Sequence, residues 1–172
     1  MNICVLGVSA SGKSTLAKHL ADILGLTHIE LDSLHFLPGW IERPDEDMKK
    51  DVLELTERGN WVVCGNYAFL REYHLDNADK IIWLNYPFYK VFWRCICRTL
   101  RRIINKEPCC NGNIETIRMQ FFSKYSIFWW VIRTFWRRRK TYTQLSQDPR
   151  YREKFMIIHN EEELQNLLKN LP

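Results

Sequence analysis

Short apolar runs rich in β-branched residues alternate along the chain with longer stretches whose apolar residues recur every three or four positions. Asn2 to Leu6 forms the first run and ends on glycine; Leu16, Leu20, Ile23 and Leu24 then share one helical stripe, which Gly25 stops. Thr27 to Leu31 reads as the second strand. A Pro/Gly loop, Leu37-Pro38-Gly39-Trp40, leads to Pro44-Asp45, a helix start with acids in its first turn, and the helix runs to about Arg58. Trp61 to Cys64 and Lys80 to Leu84 are the next strands. Pro87 opens a basic helix to about Asn105, residues 106–112 form a loop, and a long aromatic helix reaches about Lys140. Phe155 to His159 is the last strand and Glu161 to Leu171 a closing helix.

Strands that alternate with helices in this way predict an α/β fold, a five-stranded parallel sheet with helices on both faces. Right-handed crossovers put the loops after the strands along one sheet edge, where such sheets bind ligands. At 172 residues, with no Gly/Ser-rich or Pro-rich linker, the expectation is one domain over 1–172.

The candidate chemistry begins in the first of those loops. Gly7-Val8-Ser9-Ala10-Ser11-Gly12-Lys13-Ser14 satisfies G-x-x-x-x-G-K-[ST] between a strand and a helix, the context that this phosphate-binding motif requires. Glycines let backbone amides turn inward around phosphate oxygens, and the helix adds its positive N-terminal end. Gly7, Ser9, Ala10, Ser11, Gly12, Lys13, Ser14 and Thr15 are therefore the expected nucleotide contacts. Lys13 would reach the outer phosphates of ATP, Ser14 would offer its hydroxyl to Mg²⁺, and Thr15 would lie near the inner phosphate. A Gly/Ser turn capping a helix would leave Lys13 unexplained.

Asp32 follows the second strand and so falls on the same edge. It is expected to order metal-bound water or to accept a proton from an acceptor hydroxyl, with a turn aspartate as the plain alternative. Phe36, Trp40 and Arg43 in the following loop suit a flat or anionic acceptor, or else roof the core. Gly65, Asn66 and Tyr67 add an amide and a phenol on that edge, to orient substrate or close a turn. Arg94, Arg98, Arg101 and Arg102 lie mostly along one face of the basic helix and lead into the 106–112 loop. An arginine-lined helix of this kind is what a closing lid over about 87–140 needs; Arg94 and Arg98 are the candidates to neutralise the transferred phosphoryl.

Charge sharpens this picture. The net +5 hides an asymmetry: from Tyr86 to Arg152 there are fifteen Lys or Arg against Glu107, Glu115 and Asp148. Such a field attracts nucleotide phosphates, nucleic acid or anionic lipid without choosing among them. The most apolar tract, Met119 to Trp136, contains Lys124 and Arg133, which makes it too polar for a spanning helix and better suited to a buried amphipathic one. Met1 to Leu6 lacks the basic start and cleavage site of a secretion signal, so the chain is expected in the cytoplasm. The six cysteines do not show C-x2-C zinc spacing.

Taken together, the phosphate loop, Leu31-Asp32-Ser33-Leu34-His35, Pro38-Gly39-Trp40, Gly65-Asn66-Tyr67 and the arginine helix resemble the bacterial DNA topology modulation proteins, relatives of adenylate and shikimate kinases. The resemblance covers nearly the whole chain. It implies the P-loop kinase fold, ATP binding with Mg²⁺, and kinase activity toward an undefined small acceptor such as a nucleotide or nucleoside. By position it carries over Lys13 and Ser14, Asp32 as the acid after the second strand, and Arg94 and Arg98 as lid-side arginines. Members often have Asp before the Gly-Asn-Tyr triplet; Cys64 stands there in this chain, which puts more work on Asp32. The alternative is an ATP-binding regulator that binds nucleic acid through its basic, aromatic half without small-molecule turnover.

Overall fold

The computed structural model describes residues 1–122 and 126–170. Five parallel strands form the main sheet: β1 (Ile3–Gly7), β2 (Thr27–Glu30), β5 (Trp61–Cys64), β6 (Lys80–Leu84) and β9 (Phe155–Ile158). Their order across the sheet is β2-β5-β1-β6-β9, with Ile3 registered against Val62 on one side and Lys80 on the other. β1 is thus central and every one of its residues is buried. This explains its continuous apolar sequence, since strands covered on both faces cannot alternate.

Alternate residues of β1 serve two cores. Ile3 and Val5 pack with Leu16, Leu20, Val91, Cys95, Val131 and Phe135, under helices α1 (Lys13–Leu24), α5 (Phe88–Asn105) and α7 (Ile127–Gln147). Cys4 and Leu6 pack on the other face with Met48, Val52, Leu70 and Trp83, under α3 (Asp45–Glu57) and α4 (Ala68–Asn77). Each of these fully buried large side chains stabilises the fold by about 1.5–3 kcal/mol. α7 contributes Val131 and Phe135 to the first core and Tyr142 and Leu145 to the second, so it passes from one layer to the other. The closing helix α8 is Glu161–Lys169; Asn160 caps it by accepting from the Glu163 amide.

Three stretches differ from the sequence expectation. The loop expected at 34–43 is a short helix α2 (Leu31–His35) followed by a hairpin, β3 (Phe36–Leu37) with β4 (Ile41–Glu42). A two-residue strand is too short for periodicity to reveal it. Trp40, in the turn, takes a left-handed φ of 59° beside Gly39 at 81°. The loop expected at 106–112 carries a second hairpin, β7 (Pro108–Cys109) with β8 (Asn113–Ile114). The expected long aromatic helix is two helices, α6 (Ile117–Phe122) and α7, and the span between them at 123–125 lies outside the described residues. The Gln120 side chain accepts from the Ile127 amide at 2.9 Å, satisfying a first-turn donor of α7. α7 then runs past Lys140 to Gln147, where Pro149 holds Asp148 in extended backbone.

Candidate active site

The phosphate loop leaves the start of its helix uncapped. Gly12 precedes α1 in a left-handed conformation (φ 96°), no side chain caps the helix, and its first turn holds no acid. By contrast, α3 carries Asp45, Glu46 and Asp47 in its first turn. An uncapped, acid-free N-terminus at the end of a central strand is a ready-made anion site. The loop is tightly wound: Ser11 N–H donates to the Val8 carbonyl at 3.2 Å, and a Cβ on Gly7 would run into the Ser11 hydroxyl. Ala10 also sits at positive φ, 63°. Ser11 Oγ is buried with no hydrogen-bond partner. Lys13 is buried at 7 % exposure, and among the described residues no carboxylate pairs with it. A lysine held at a helix N-terminus with no carboxylate beside it is placed to meet an anion. Ser9 and Ser14 are half-buried and Thr15 is exposed.

Across from this loop, the ends of β2 and β5 place the acceptor-side candidates. Cys64 is the last residue of β5, and its thiol lies 3.8 Å from Ser14 Oγ and 3.8 Å from His28 Nε2. Burial pushes that thiol up to about 12, against the opposing charge of Lys13; Glu30 and Asp32 act on it as well. The thiol beside Ser14 therefore stays protonated. Asp32, in α2, accepts from the Tyr67 hydroxyl at 3.0 Å. Burial, with the Asp32 charge beside it, holds the Tyr67 phenol well above its ordinary value, so it remains a donor. Gly65 (φ 146°) lies so close to α2 that a Cβ there would stand 2.5 Å from Leu31 Cβ. Asn66 Oδ1 accepts from Tyr142 Oη at 2.6 Å, tying the end of β5 to α7. A cavity of about 10 Å³, room for a single water, lies there among Leu31, Gly65, Asn66, Tyr67, Arg71 and Tyr142. Burial draws the Arg138 guanidinium below its usual value, and the charges of Tyr142 and Asp32 oppose that.

The structure distributes the remaining candidates over three places. Arg43 ties α2 to α3: it pairs with Asp51 at 2.7 Å and donates to the Leu34 carbonyl at 3.3 Å. Trp40 is engaged by the second hairpin, its amide donating to Asn113 Oδ1 at 2.9 Å and its indole to the Ile114 carbonyl at 3.4 Å. Asn113 Nδ2 donates in turn to Leu37 O at 3.0 Å and Cys110 O at 2.6 Å, and Asn111 Nδ2 reaches Ser33 O and Phe36 O. Two asparagines thus latch the β7–β8 hairpin onto the β3–β4 hairpin. Arg94 braces the phosphate loop from outside: it donates to Ser11 O at 3.3 Å, pairs with Glu161 at 2.5 Å and covers the Tyr86 ring at 4.8 Å. Further along α5, Arg98 Nε is buried without a partner, while Arg101 pairs with Glu107 and Arg102 with Glu115.

Sequence reading missed the parts played by Tyr142, Asn113 and Glu161. Tyr142 comes from a helix about 75 positions after Asn66 and carries no local signal, whereas Arg138 belongs to the Arg137-Arg138-Arg139 cluster, which the sequence offers as a second group of cations for phosphate. The Asn113 latch was detectable only as an Asn-Gly-Asn turn. Glu161 was visible as a helix-start acid, but not as the partner of Arg94.

Two solved structures share this architecture. A shikimate kinase from Bacteroides thetaiotaomicron superposes with a TM-score of 0.54 at 16% identity, covering 98% of this chain and 97% of that one. A sugar kinase from Janibacter sp. superposes at 0.53 with 18% identity, covering 98% and 92%. No protein-family model and no curated protein sequence matches the chain. The five-stranded parallel sheet with flanking helices is that of the P-loop kinases.

Proposed function

We propose that the chain is an ATP-dependent phosphotransferase, a single-domain cytoplasmic kinase that passes the γ-phosphoryl group to a hydroxyl of a small acceptor. The observation that carries the reading is Lys13, buried without a carboxylate partner among the described residues in an uncapped phosphate loop, next to Ser14. The fold of shikimate and sugar kinases supports it, as does the resemblance to the DNA topology modulation proteins.

The residues fit ATP and Mg²⁺. The Gly7 cradle has no room for a side chain, and the Ser11 hydroxyl beside it is buried without a partner. Loop amides from Gly7 to Thr15 and the α1 N-terminus bind the phosphates, Lys13 reaches their outer end, and Ser14 offers an oxygen to the metal. Mg²⁺ supplies charge neutralisation on the phosphate oxygens. Asp32, held by Tyr67, takes the acceptor hydroxyl proton as that oxygen attacks the γ-phosphorus; the bond to the bridging oxygen breaks and ADP leaves. Gly65 and Asn66 form the acceptor floor, Trp40 and Arg43 shape its wall, and Arg98 offers an unpaired guanidinium to the transferred group. Arg94 acts by bracing the loop.

The test is ADP release across a panel of hydroxylated and phosphorylated metabolites, with Lys13→Ala beside the unaltered protein. One compound should accelerate release, and Lys13→Ala should lower the rate by a hundredfold or more, roughly the effect of losing one preorganised donor. Calorimetry that finds no uptake of ATP or ADP with Mg²⁺ would overturn the reading.

A further inference from the structure

Helices α5 and α7 each carry five cations and no acid. They pack antiparallel, with Phe88 against Phe135 at 5.2 Å and Phe92 against Phe128 at 6.4 Å. The residues one step beyond these contacts face outward on the same side of the pair, because in antiparallel helices a one-residue advance rotates both toward the same surface. On α5 this stripe is Tyr89, Trp93, Cys97, Leu100 and Ile104, at helical steps of four, four, three and four, and all are exposed. On α7 it holds Trp129, Ile132 and Trp136. Exposures of 66 % for Trp93, 56 % for Trp129 and 62 % for Trp136 mark side chains that the fold leaves in water. Trp136 stacks on Phe88 at 6.2 Å, joining the two stripes into one apolar face. Arg133, Arg137 and Lys140 are exposed along the same arc of α7, and none forms an ion pair among the described residues.

We propose that this face docks on the surface of an anionic lipid bilayer. The charge chooses the occupant. A second copy meeting this face about a two-fold axis would set unpaired cations against like cations, whereas an anionic headgroup layer complements them. Tryptophan rings rimmed by arginine are amphipathic and suit the headgroup boundary, and aliphatic Leu100 and Ile104 insert there but offer nothing for a base to stack on. The face supplies both signals that stable peripheral binding needs, apolar area and a basic rim. Among the described residues no helix is long and apolar enough to cross a membrane, so the helices would lie on the surface. The inference stands independently of phosphotransfer.

Vesicle co-sedimentation of the full chain, at low and high salt, tests it. Binding should be strong to phosphatidylglycerol-rich vesicles, weak to phosphatidylcholine, and reduced by salt, with a blue shift of tryptophan emission. Arg133→Gln with Arg137→Gln should weaken binding about fivefold per cation, from ~1 kcal/mol each. Trp93→Ser with Trp136→Ser should abolish it while leaving the far-ultraviolet circular dichroism and the cooperativity of thermal unfolding, a check on folding, unchanged. No binding to anionic vesicles at low salt would overturn the proposal, as would a stable dimer that buries these tryptophans. So would single-stranded DNA binding that needs the same residues while vesicle binding is absent.

Discussion

The Cys64 thiol sits 3.8 Å from the hydroxyl of Ser14, at the end of the strand beside the phosphate loop. Burial pushes it up to about 12, so at neutral pH it is a neutral neighbour to the residue expected to meet the metal. Cys64→Asp should place a carboxylate within reach of Ser14 and His28 and lower the Mg²⁺ concentration for half-maximal ATP binding by about tenfold, the effect of one added outer-shell partner. Calorimetric ATP titrations across a Mg²⁺ series measure this; an unchanged Mg²⁺ dependence would show that the metal does not approach residue 64.

The Tyr67 hydroxyl orients Asp32 rather than replacing it. Tyr67→Phe should therefore lower kcat by up to tenfold, about 1 kcal/mol of lost orientation, whereas Asp32→Asn should cost about 10²- to 10⁴-fold. ATP affinity should be unchanged in both. Steady-state ADP formation beside calorimetry separates the two effects, and equal losses would argue against an orienting role.

Asn113 is 4 % exposed and makes three side-chain hydrogen bonds, to Leu37, Cys110 and Trp40. Asn113→Ala leaves those backbone groups unpaired and should weaken hairpin docking by about 2 kcal/mol. Amide hydrogen exchange over residues 107–115 should then speed up about thirtyfold at constant global stability. Unaltered protection there would mean that the hairpins are held by other contacts.

His74 is buried against Trp61 and Tyr73, its Nε2 has no partner, and burial lowers it from 6.5 to about 4. A depressed histidine stabilises the fold fully above its unfolded value, and this stability falls away as pH drops from 6.5 toward 4. The loss should approach about 3 kcal/mol, and His74→Phe should flatten that limb. Urea unfolding at a series of pH values reads it directly; parallel curves for the two proteins would remove His74 as the cause.

The phosphate loop and the five strands were legible because local chemistry fixes them. Gly7, Gly12 and Lys13 are spaced by what a polyphosphate needs, and each strand is a short apolar run closed by turn residues. Gly25 stops α1 as its sequence suggests, at a φ of 63°. The hairpins at 36–42 and 108–114 escaped because two-residue strands carry no period. The start of α7 at Ile127, whose amide meets the Gln120 side chain, rests on a contact between side chain and backbone that no apolar pattern encodes. The exposed tryptophans of α7 ran against the buried reading of their tract: composition gave an amphipathic helix, but only the packing of Phe128, Val131 and Phe135 shows which side faces water.

The near-contact of Gly65 with Leu31 has a consequence for how this scaffold can diversify. Even a methyl group at position 65 would lever the first turn of α2 outward and carry the Asp32 carboxylate away from the phosphate-loop end of β1. The spacing of this edge is accordingly fixed by two main chains, like the throat of a gauge, and under the proposed kinase reading a change of acceptor would have to arise in the hairpins instead.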